Sequence, residues 1–292
     1  MKTLVCIIGQ IRIPELTWDA FKVNVLDELG ADLALAIHDD GLTNRDNEYF
    51  KNAKYVFEYK NTSGCWASAF DQMNPGWRSL VDIPGDWIAP VKEPIERKGS
   101  GGVLAFIRWW LYQNIEKLVT NYDRVIVTRS DYMWTSPHPT LDNEHIWLPN
   151  GEFHGGLPDR YFAFPVRLAK EVLTVGSMED VNITGRNLRI MRDQRLREGH
   201  GHFLYNDEGF IFVRFIERGL IESLGFFQMN MFLASDTRGN PHPSYGVRVV
   251  YPDELATTEP KVTWPFYIEH RHVSQNGMFN GRLVALTLSE SK

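Results

Sequence analysis

The sequence predicts an α/β fold in which a mostly parallel central sheet carries helices on both faces. Residues 3–8 and 32–37 are short, nearly continuous apolar runs, which is typical of strands buried on both faces. Between them, apolar side chains recur at helical spacing from Pro14 until Gly30 ends the pattern. Strand, helix and strand in this order form the crossover unit of a parallel sheet.

The later elements follow from patterns of the same kind. Residues 103–119 are apolar all round, which predicts a buried helix, and residues 125–127 predict a strand. Residues 60–102 contain several prolines and predict a long irregular loop. Because we see neither a repeat nor a clear linker, we expect one domain over residues 1–292. The remaining predicted elements are strands at 55–59, 145–148, 161–164 and 223–233, and helices at 166–175 and 206–218.

The composition indicates which kinds of binding partner and which cellular compartment to expect. A net charge of -6, from 31 basic and 37 acidic residues, provides no broad positive field, so we expect no nucleic-acid partner. The two cysteines, Cys6 and Cys65, are too few for a disulfide framework and fit a reducing compartment. No apolar run reaches the roughly 18 residues that a membrane span needs. We therefore expect a soluble, cytoplasmic protein without a membrane span.

Charged side chains follow the strand predicted at residues 125–127. Arg129, Ser130 and Asp131 come directly after it. In open α/β sheets this edge binds ligands, because the loops there form a crevice while helices cover both faces. A carboxylate at this place can hold a divalent cation against phosphate oxygens. The local pattern equally allows Asp131 to cap the next turn or to pair with Arg129.

The first two strands also end in residues suited to a ligand. Gly9, Gln10 and Arg12 follow the first strand, where a glycine lets the backbone approach a ligand and an arginine can fork onto a diphosphate. His38 ends the second strand, beside two acids, and could reach a base or a ribose. The alternatives are an ordinary strand-to-helix turn with an exposed arginine and a solvated polar loop.

These motifs, taken in order, resemble the GT-A type of nucleotide-sugar glycosyltransferases, in particular those encoded by large algal viruses. The strand YDRVIVT followed by RSD is similar to their Asp-X-Asp segment, with Arg129 in place of the first acid. GQIR at 9–12, GGLPDRYFAFP at 155–165 and NDEGF at 206–210 extend the resemblance. It implies a GT-A fold with a nucleotide-binding part over about residues 1–135 and an acceptor and donor-sugar part over about 136–292. The implied reaction moves a sugar from a UDP-sugar to a glycan hydroxyl.

The resemblance also implies roles for single residues. Asp131 corresponds to the acid that binds Mn²⁺ or Mg²⁺, and Arg129 is left able to contact phosphate. A histidine near the carboxyl end is a further metal ligand in many members, which makes His270 and His272 candidates, although such a pair is also common on a protein surface. The predicted nucleotide-sugar contacts are Gly9, Gln10, Arg12, His38, Arg129, Ser130, Gly155, Gly156 and Arg160.

Three acids are candidates for the catalytic groups. Asp159, in the loop with Gly155, Gly156 and Arg160, corresponds to a residue facing the donor sugar, although an Asp–Arg pair could simply pin a hairpin. Asp207 and Glu208 precede an apolar helical face and could supply the base for the acceptor hydroxyl. They could equally favour the helix N-terminus through its dipole. The sequence decides neither the base nor whether the reaction inverts or retains.

Two other functions compete with sugar transfer. A sugar nucleotidyltransferase would carry a glycine-rich, lysine-bearing loop after the first strand, and GQIRIP is poor in both residue types. A non-catalytic carbohydrate-binding protein would stack sugars on exposed tryptophans, for which Trp66, Trp77 and Trp87 are candidates. Binding of a glycan but not of a nucleotide would favour the second alternative.

Overall fold

The computed structural model describes residues 1–80, 91, 96, 99–150, 156–176, 185–190, 193, 197 and 206–234. Seven of the strands within this part form one central sheet. They are β1 (Thr3–Gly9), β2 (Asp32–Asp39), β3 (Tyr55–Lys60), β4 (Arg124–Thr128), β6 (Ile146–Pro149), β7 (Phe162–Pro165) and β8 (Leu224–Phe227), while β5 (Tyr132–Trp134) and β9 (Met231–Leu233) pair with each other as a separate ladder. The sheet order is β3-β2-β1-β4-β7-β6-β8.

The order and direction of the strands define where a ligand crevice opens. Strands β3, β2, β1 and β4 run parallel, whereas β7 runs antiparallel to β4. The chain leaves β1 for β2 on one side and places β4 on the other side. The carboxyl ends of β1 and β4 therefore flank a topological switch point. Because Val127 of β4 is paired with Phe162 of β7, β7 begins beside the end of β4.

Helices cover both faces of the sheet. On one face, Val5 and Ile7 of β1 pack with Trp18, Phe21 and Tyr49 of the first two helices. On the other face, Leu4, Cys6 and Ile8 belong to a larger cluster built around the later helices. The helices with described bounds are α1 (Pro14–Phe21), α2 (Glu48–Asn52), α3 (Ala67–Met73), α4 (Gly101–Ile115), α5 (Ala169–Leu173) and α6 (Asp207–Glu217), and residues 185–190 are helical as well. The predicted α/β class, mostly parallel sheet and two helical layers are thus confirmed.

Several element predictions need correction in detail. The helix predicted from Pro14 to Gly30 is present, but Lys22–Asp27 within it are π-helical instead of α-helical. The segment predicted as an irregular loop contains α3 and a 3-10 turn at Pro75–Leu80, held together where Phe70 and Trp77 pack with ring centroids 5.3 Å apart. The predicted strand at 223–233 is two strands, because β8 joins the central sheet while β9 pairs with β5.

Two expectations about the chain as a whole have different outcomes. Within the described residues, no helix has both the length and the apolar character that crossing a bilayer requires. The single domain over residues 1–292 stays a prediction, since 235–292 lie outside the described part.

The sulfur of Cys6 is fully buried in the sheet, and this burial raises the pKa of its thiol, as expected for an inert core cysteine.

Candidate functional site

A cavity of about 250 Å³ opens at the switch point between β1 and β4. Its walls come from the turns after β1 and β4, from the end of β2, and from the residues around the start of α4. The lining residues are Ile8, Gly9, Gln10, Arg12, His38, Trp66, Gly99, Ser100, Val103, Leu104 and Arg129. Five residues predicted to contact a nucleotide sugar, far apart in the sequence, therefore meet in one space.

The turn after β1 depends on Gly9. Its φ is +90°, a backbone conformation that side chains with a Cβ rarely adopt. A Cβ at Gly9 would lie 3.6 Å from the Leu104 side chain across the cavity. Glycine is therefore needed at this position mainly because of its backbone conformation. It lets the chain turn sharply at the mouth of the cavity.

His38 and Trp66 form the less polar side of the cavity. Their rings meet edge to face with centroids 5.2 Å apart. Burial lowers the pKa of His38, and its Nδ1 is buried without a hydrogen-bond partner among the described residues. The imidazole is therefore neutral near pH 7 and offers a ring nitrogen to a ligand.

Asp131 is held by Arg129 in a two-bond fork. The Arg129 Nε donates to Asp131 Oδ1 at 2.8 Å, and the Arg129 Nη2 donates to Asp131 Oδ2. The Asp131 side chain is only 9% exposed. Burial alone would raise the pKa of Asp131, but the charge and hydrogen bonds of Arg129, together with the charges of Arg12 and Arg160, outweigh burial and lower it. Asp131 is therefore an ionised carboxylate whose two oxygens both have a partner.

Arg12 and Ser130 join the turn after β1 to the turn after β4. The backbone N–H of Arg12 donates to Ser130 Oγ at 2.9 Å, and that hydroxyl donates to the Gln10 carbonyl at 3.1 Å. The Arg12 Nη1 lies 3.8 Å from Asp131 Oδ2, and 57% of the Arg12 side chain is exposed. Ser130 therefore ties the two turns together, and the Arg12 guanidinium remains accessible from solvent.

The donor set around Asp131 does not fit a divalent cation as it is arranged. Both Asp131 oxygens accept from Arg129, and Arg12 adds a second positive charge nearby. Within the described residues, no three His, Cys, Asp or Glu side chains are grouped so as to hold a metal. His270 and His272 lie outside the described residues, so their assignment stays a prediction. Of the alternatives left open at Asp131, the pairing with Arg129 is the one that the structure contains.

A second charged group lies at the start of β7, beside the end of β4. The Asp159 Oδ1 is 3.4 Å from the Arg160 Nε. Arg108 of α4, which is fully buried, donates through Nη1 to the Asp159 carbonyl and through Nη2 to Asp207 Oδ2 at 3.0 Å. Arg108 was not among the residues predicted from the sequence. The available signal was an arginine inside a helix that is otherwise apolar all round.

The first turn of α6 brings two buried acids to the same group. Asn206 caps this helix, since its side-chain oxygen accepts from the Gly209 N–H at 2.9 Å. Asp207 and Glu208 are only 2% and 6% exposed. Burial raises the pKa of Asp207 to about 7, and burial together with the charge of Asp159 raises the pKa of Glu208 well above its usual value. These acids can hold a proton near neutral pH.

Arg160 connects the two charged groups electrostatically. Its positive charge lowers the pKa of Asp131 on one side and of Asp207 on the other, although each effect is smaller than that of burial. The cluster of Arg12, Arg129 and Asp131 is therefore close to the acidic cluster of Asp159, Asp207 and Glu208. Guanidinium groups beside acids that hold protons can bind an anion and exchange a proton at one site.

Gly156 has a packing role in this arrangement. A Cβ at Gly156 would lie 2.0 Å from the Glu208 carbonyl oxygen, so no larger residue fits without a backbone shift. The neighbouring Leu157 N–H donates to that same oxygen at 3.0 Å. This close approach fixes the loop against α6. Contact of Gly156 with a donor sugar stays a prediction, and Gly155 lies outside the described residues.

The tryptophans proposed for a carbohydrate-binding protein are not exposed platforms. Trp66 is 5% exposed and Trp77 is fully buried, whereas Trp87 lies outside the described residues. Two of the three rings on which that alternative depended therefore serve the core and the cavity wall.

Comparison of the sequence with protein-family models and with curated proteins found no match in either case. The chemistry of the candidate site therefore has to be argued from its own geometry.

Proposed function

We propose that the chain is a glycosyltransferase of the GT-A type that transfers a sugar from a nucleotide diphosphate sugar, a UDP-sugar, to a glycan hydroxyl. The observation that carries the proposal is the convergence of Arg12 and Arg129 on one cavity at the carboxyl edge of the sheet. Guanidinium groups bind phosphate oxygens through paired N–H donors, and this edge of an α/β sheet is the usual place for a nucleotide.

The two sides of the cavity suit the two ends of a nucleotide diphosphate. His38, Trp66, Ile8 and Leu104 provide the less polar wall, against which a base and ribose can pack. Arg12 and Arg129 provide the positive end. The strand order β3-β2-β1-β4, with antiparallel β7 next to β4, brings the turn that contains Asp159 and Arg160 beside the end of β4.

The transfer step needs charge stabilisation and a proton acceptor. The acceptor oxygen forms a bond to the anomeric carbon while the bond from that carbon to the diphosphate oxygen breaks, and the electron pair stays on the nucleoside diphosphate. Arg12 and Arg129 stabilise the charge that develops there. The proton of the acceptor hydroxyl passes to a carboxylate, for which Asp159, Asp207 and Glu208 are the candidates.

A ligand screen tests this function. The full chain is melted with UDP-, GDP-, CMP- and dTDP-sugars, and each mixture is also assayed for release of free sugar. We expect a UDP-sugar to raise Tm and to be hydrolysed slowly, because a ligand of the folded state stabilises it by mass action. The change Arg12→Gln should remove the shift.

A matched arginine provides the control for this screen. Arg78 forms a two-bond pair with Asp71 on an exposed surface outside the cavity, so Arg78→Gln should keep the shift. Stabilisation by free glycans, with none by any nucleotide sugar, would show that the chain is a carbohydrate-binding protein instead.

A further inference from the structure

We propose that Asp131 is a positioning residue for Arg129, and that Arg129 and Arg12 neutralise the donor diphosphate in place of a divalent cation. This inference rests on the proposed function and concerns how the same site binds the two phosphates. It differs from the expectation that Asp131 holds Mn²⁺ or Mg²⁺, and it follows from the fork between Arg129 and Asp131.

The fork leaves Arg129 able to bind a second anion. A guanidinium carries five N–H donors, and the Asp131 carboxylate uses two of them, one on Nε and one on Nη2. Three N–H groups are not used by Asp131, and Arg129 lines the cavity. A carboxylate that fixes the guanidinium plane lowers the conformational cost of binding a phosphate, because the side chain is already ordered.

The local charge also favours an anion over a cation. Arg12, Arg129 and Asp131 together carry a net charge of about +1 at neutral pH. A cation at Asp131 would have to displace Arg129 from a buried ion pair. It would also lie close to Arg12, whose Nη1 is 3.8 Å from Asp131 Oδ2. A diphosphate neither has to displace Arg129 nor is repelled by Arg12, since both guanidinium groups attract its oxygens.

The arrangement of the turns supports a concerted role for the two arginines. Arg12 comes from the turn after β1 and Arg129 from the turn after β4, and Ser130 holds these turns together through two hydrogen bonds. Tyr49 adds a third restraint, because its hydroxyl donates to the Ser130 carbonyl at 3.1 Å. The separation of the two turns that carry these arginines is therefore set by the fold before a ligand arrives.

Calorimetric titration of the full chain with UDP tests the inference, in EDTA and in Mn²⁺. We expect the Kd of the wild-type protein in the two buffers to agree within about threefold. Arg129→Gln should weaken binding by about 10- to 100-fold, the loss expected for a charge-assisted hydrogen bond. Asp131→Asn should keep binding within about tenfold of wild type, because Arg129 remains and a negative charge near the phosphates is lost.

Control variants separate local effects from folding. Arg78→Gln and Asp71→Asn break a similar two-bond pair away from the cavity and should leave UDP binding unchanged. The comparison of EDTA with Mn²⁺ uses only the wild-type chain, so it holds even if a variant fails to fold.

The reverse ranking would overturn the inference. Binding of UDP only with Mn²⁺, lost in Asp131→Asn and kept in Arg129→Gln, would make Asp131 a metal ligand and leave the proposed function intact. Absence of UDP binding in both buffers would refute the proposed function itself, and this inference with it.

Discussion

A guanidinium buried in an apolar layer is stable only when a negative charge compensates its positive charge and acceptors form hydrogen bonds with its N–H groups. Arg108 meets this condition in part, because Nη1 donates to the Asp159 carbonyl and Nη2 to the Asp207 carboxylate, whereas its Nε has no hydrogen-bond partner among the described residues. In doing so it joins α4, the turn before β7 and the first turn of α6. One buried residue therefore holds the acidic cluster in place, although it does not line the cavity.

Replacing Arg108 should destabilise the protein strongly. In Arg108→Met, the Asp159 carbonyl and Asp207 each lose a hydrogen-bond donor while remaining buried, so we expect the free energy of unfolding to fall by about 2–4 kcal/mol. Urea denaturation at neutral pH measures this change. Arg45 is the control, because it also pairs with two carboxylates, Asp39 and Glu58, but its side chain is half exposed. Arg45→Met should cost no more than about 1 kcal/mol. Equal losses in the two variants would contradict the structural role of Arg108.

The residues of the candidate site were only partly predictable from the sequence. Gly9, Gln10, Arg12, His38 and Arg129 could be named in advance, because they follow strands whose carboxyl ends share one edge of the sheet. The direction of a side chain at that edge was not predictable. Whether Asp131 faces a ligand or Arg129 depends on side-chain packing around the turn, and the sequence allowed both. Arg108 was missed because its partners lie 51 and 99 residues away.

At the scale of elements, the first turn of α6 makes stability depend on pH. Burial raises the pKa of Asp207 from an ordinary 3.8 to about 7, and the pKa of Glu208 is also raised. The folded state therefore binds more protons than the unfolded state between these values. The stabilising contribution of Asp207 is complete below about pH 4 and is lost as the pH rises through about 7.

An asparagine at position 207 should reduce this dependence. We expect the wild-type free energy of unfolding to fall between about pH 5 and pH 8 by more than that of Asp207→Asn, because an amide does not ionise. Glu208 keeps part of the slope in the variant. Urea denaturation at several pH values measures both slopes, and Asp19→Asn, an exposed carboxylate of α1, serves as the control. The assignment fails if Asp207→Asn retains the full wild-type slope.

The elements themselves show where sequence patterns succeed and where they fail. Strands β1, β2 and β4 were predicted closely because strands buried on both faces need continuous apolar runs. The helix α3 was missed because seven residues are too few to establish a helical period. The split of residues 223–233 into β8 and β9 depends on two different sheets, and an apolar run contains no information about its pairing partner.

At the scale of the whole molecule, the sheet assembles the candidate site from distant parts of the chain. The parallel strands β1 and β4 bring Arg12 and Arg129 to one edge, and antiparallel β7 begins at that edge with Asp159 and Arg160 before it. The capped start of α6 adds Asp207 and Glu208. We propose that this edge binds a nucleotide diphosphate with its phosphates on the two arginines.

A crystal structure of the full chain with UDP is the most direct test of that claim. We expect the diphosphate to lie within about 3 Å of the Arg12 and Arg129 guanidinium groups, with the base against His38 and Trp66. UDP bound away from the β1 and β4 turns, or bound there with both arginines pointing away from its phosphates, would contradict it.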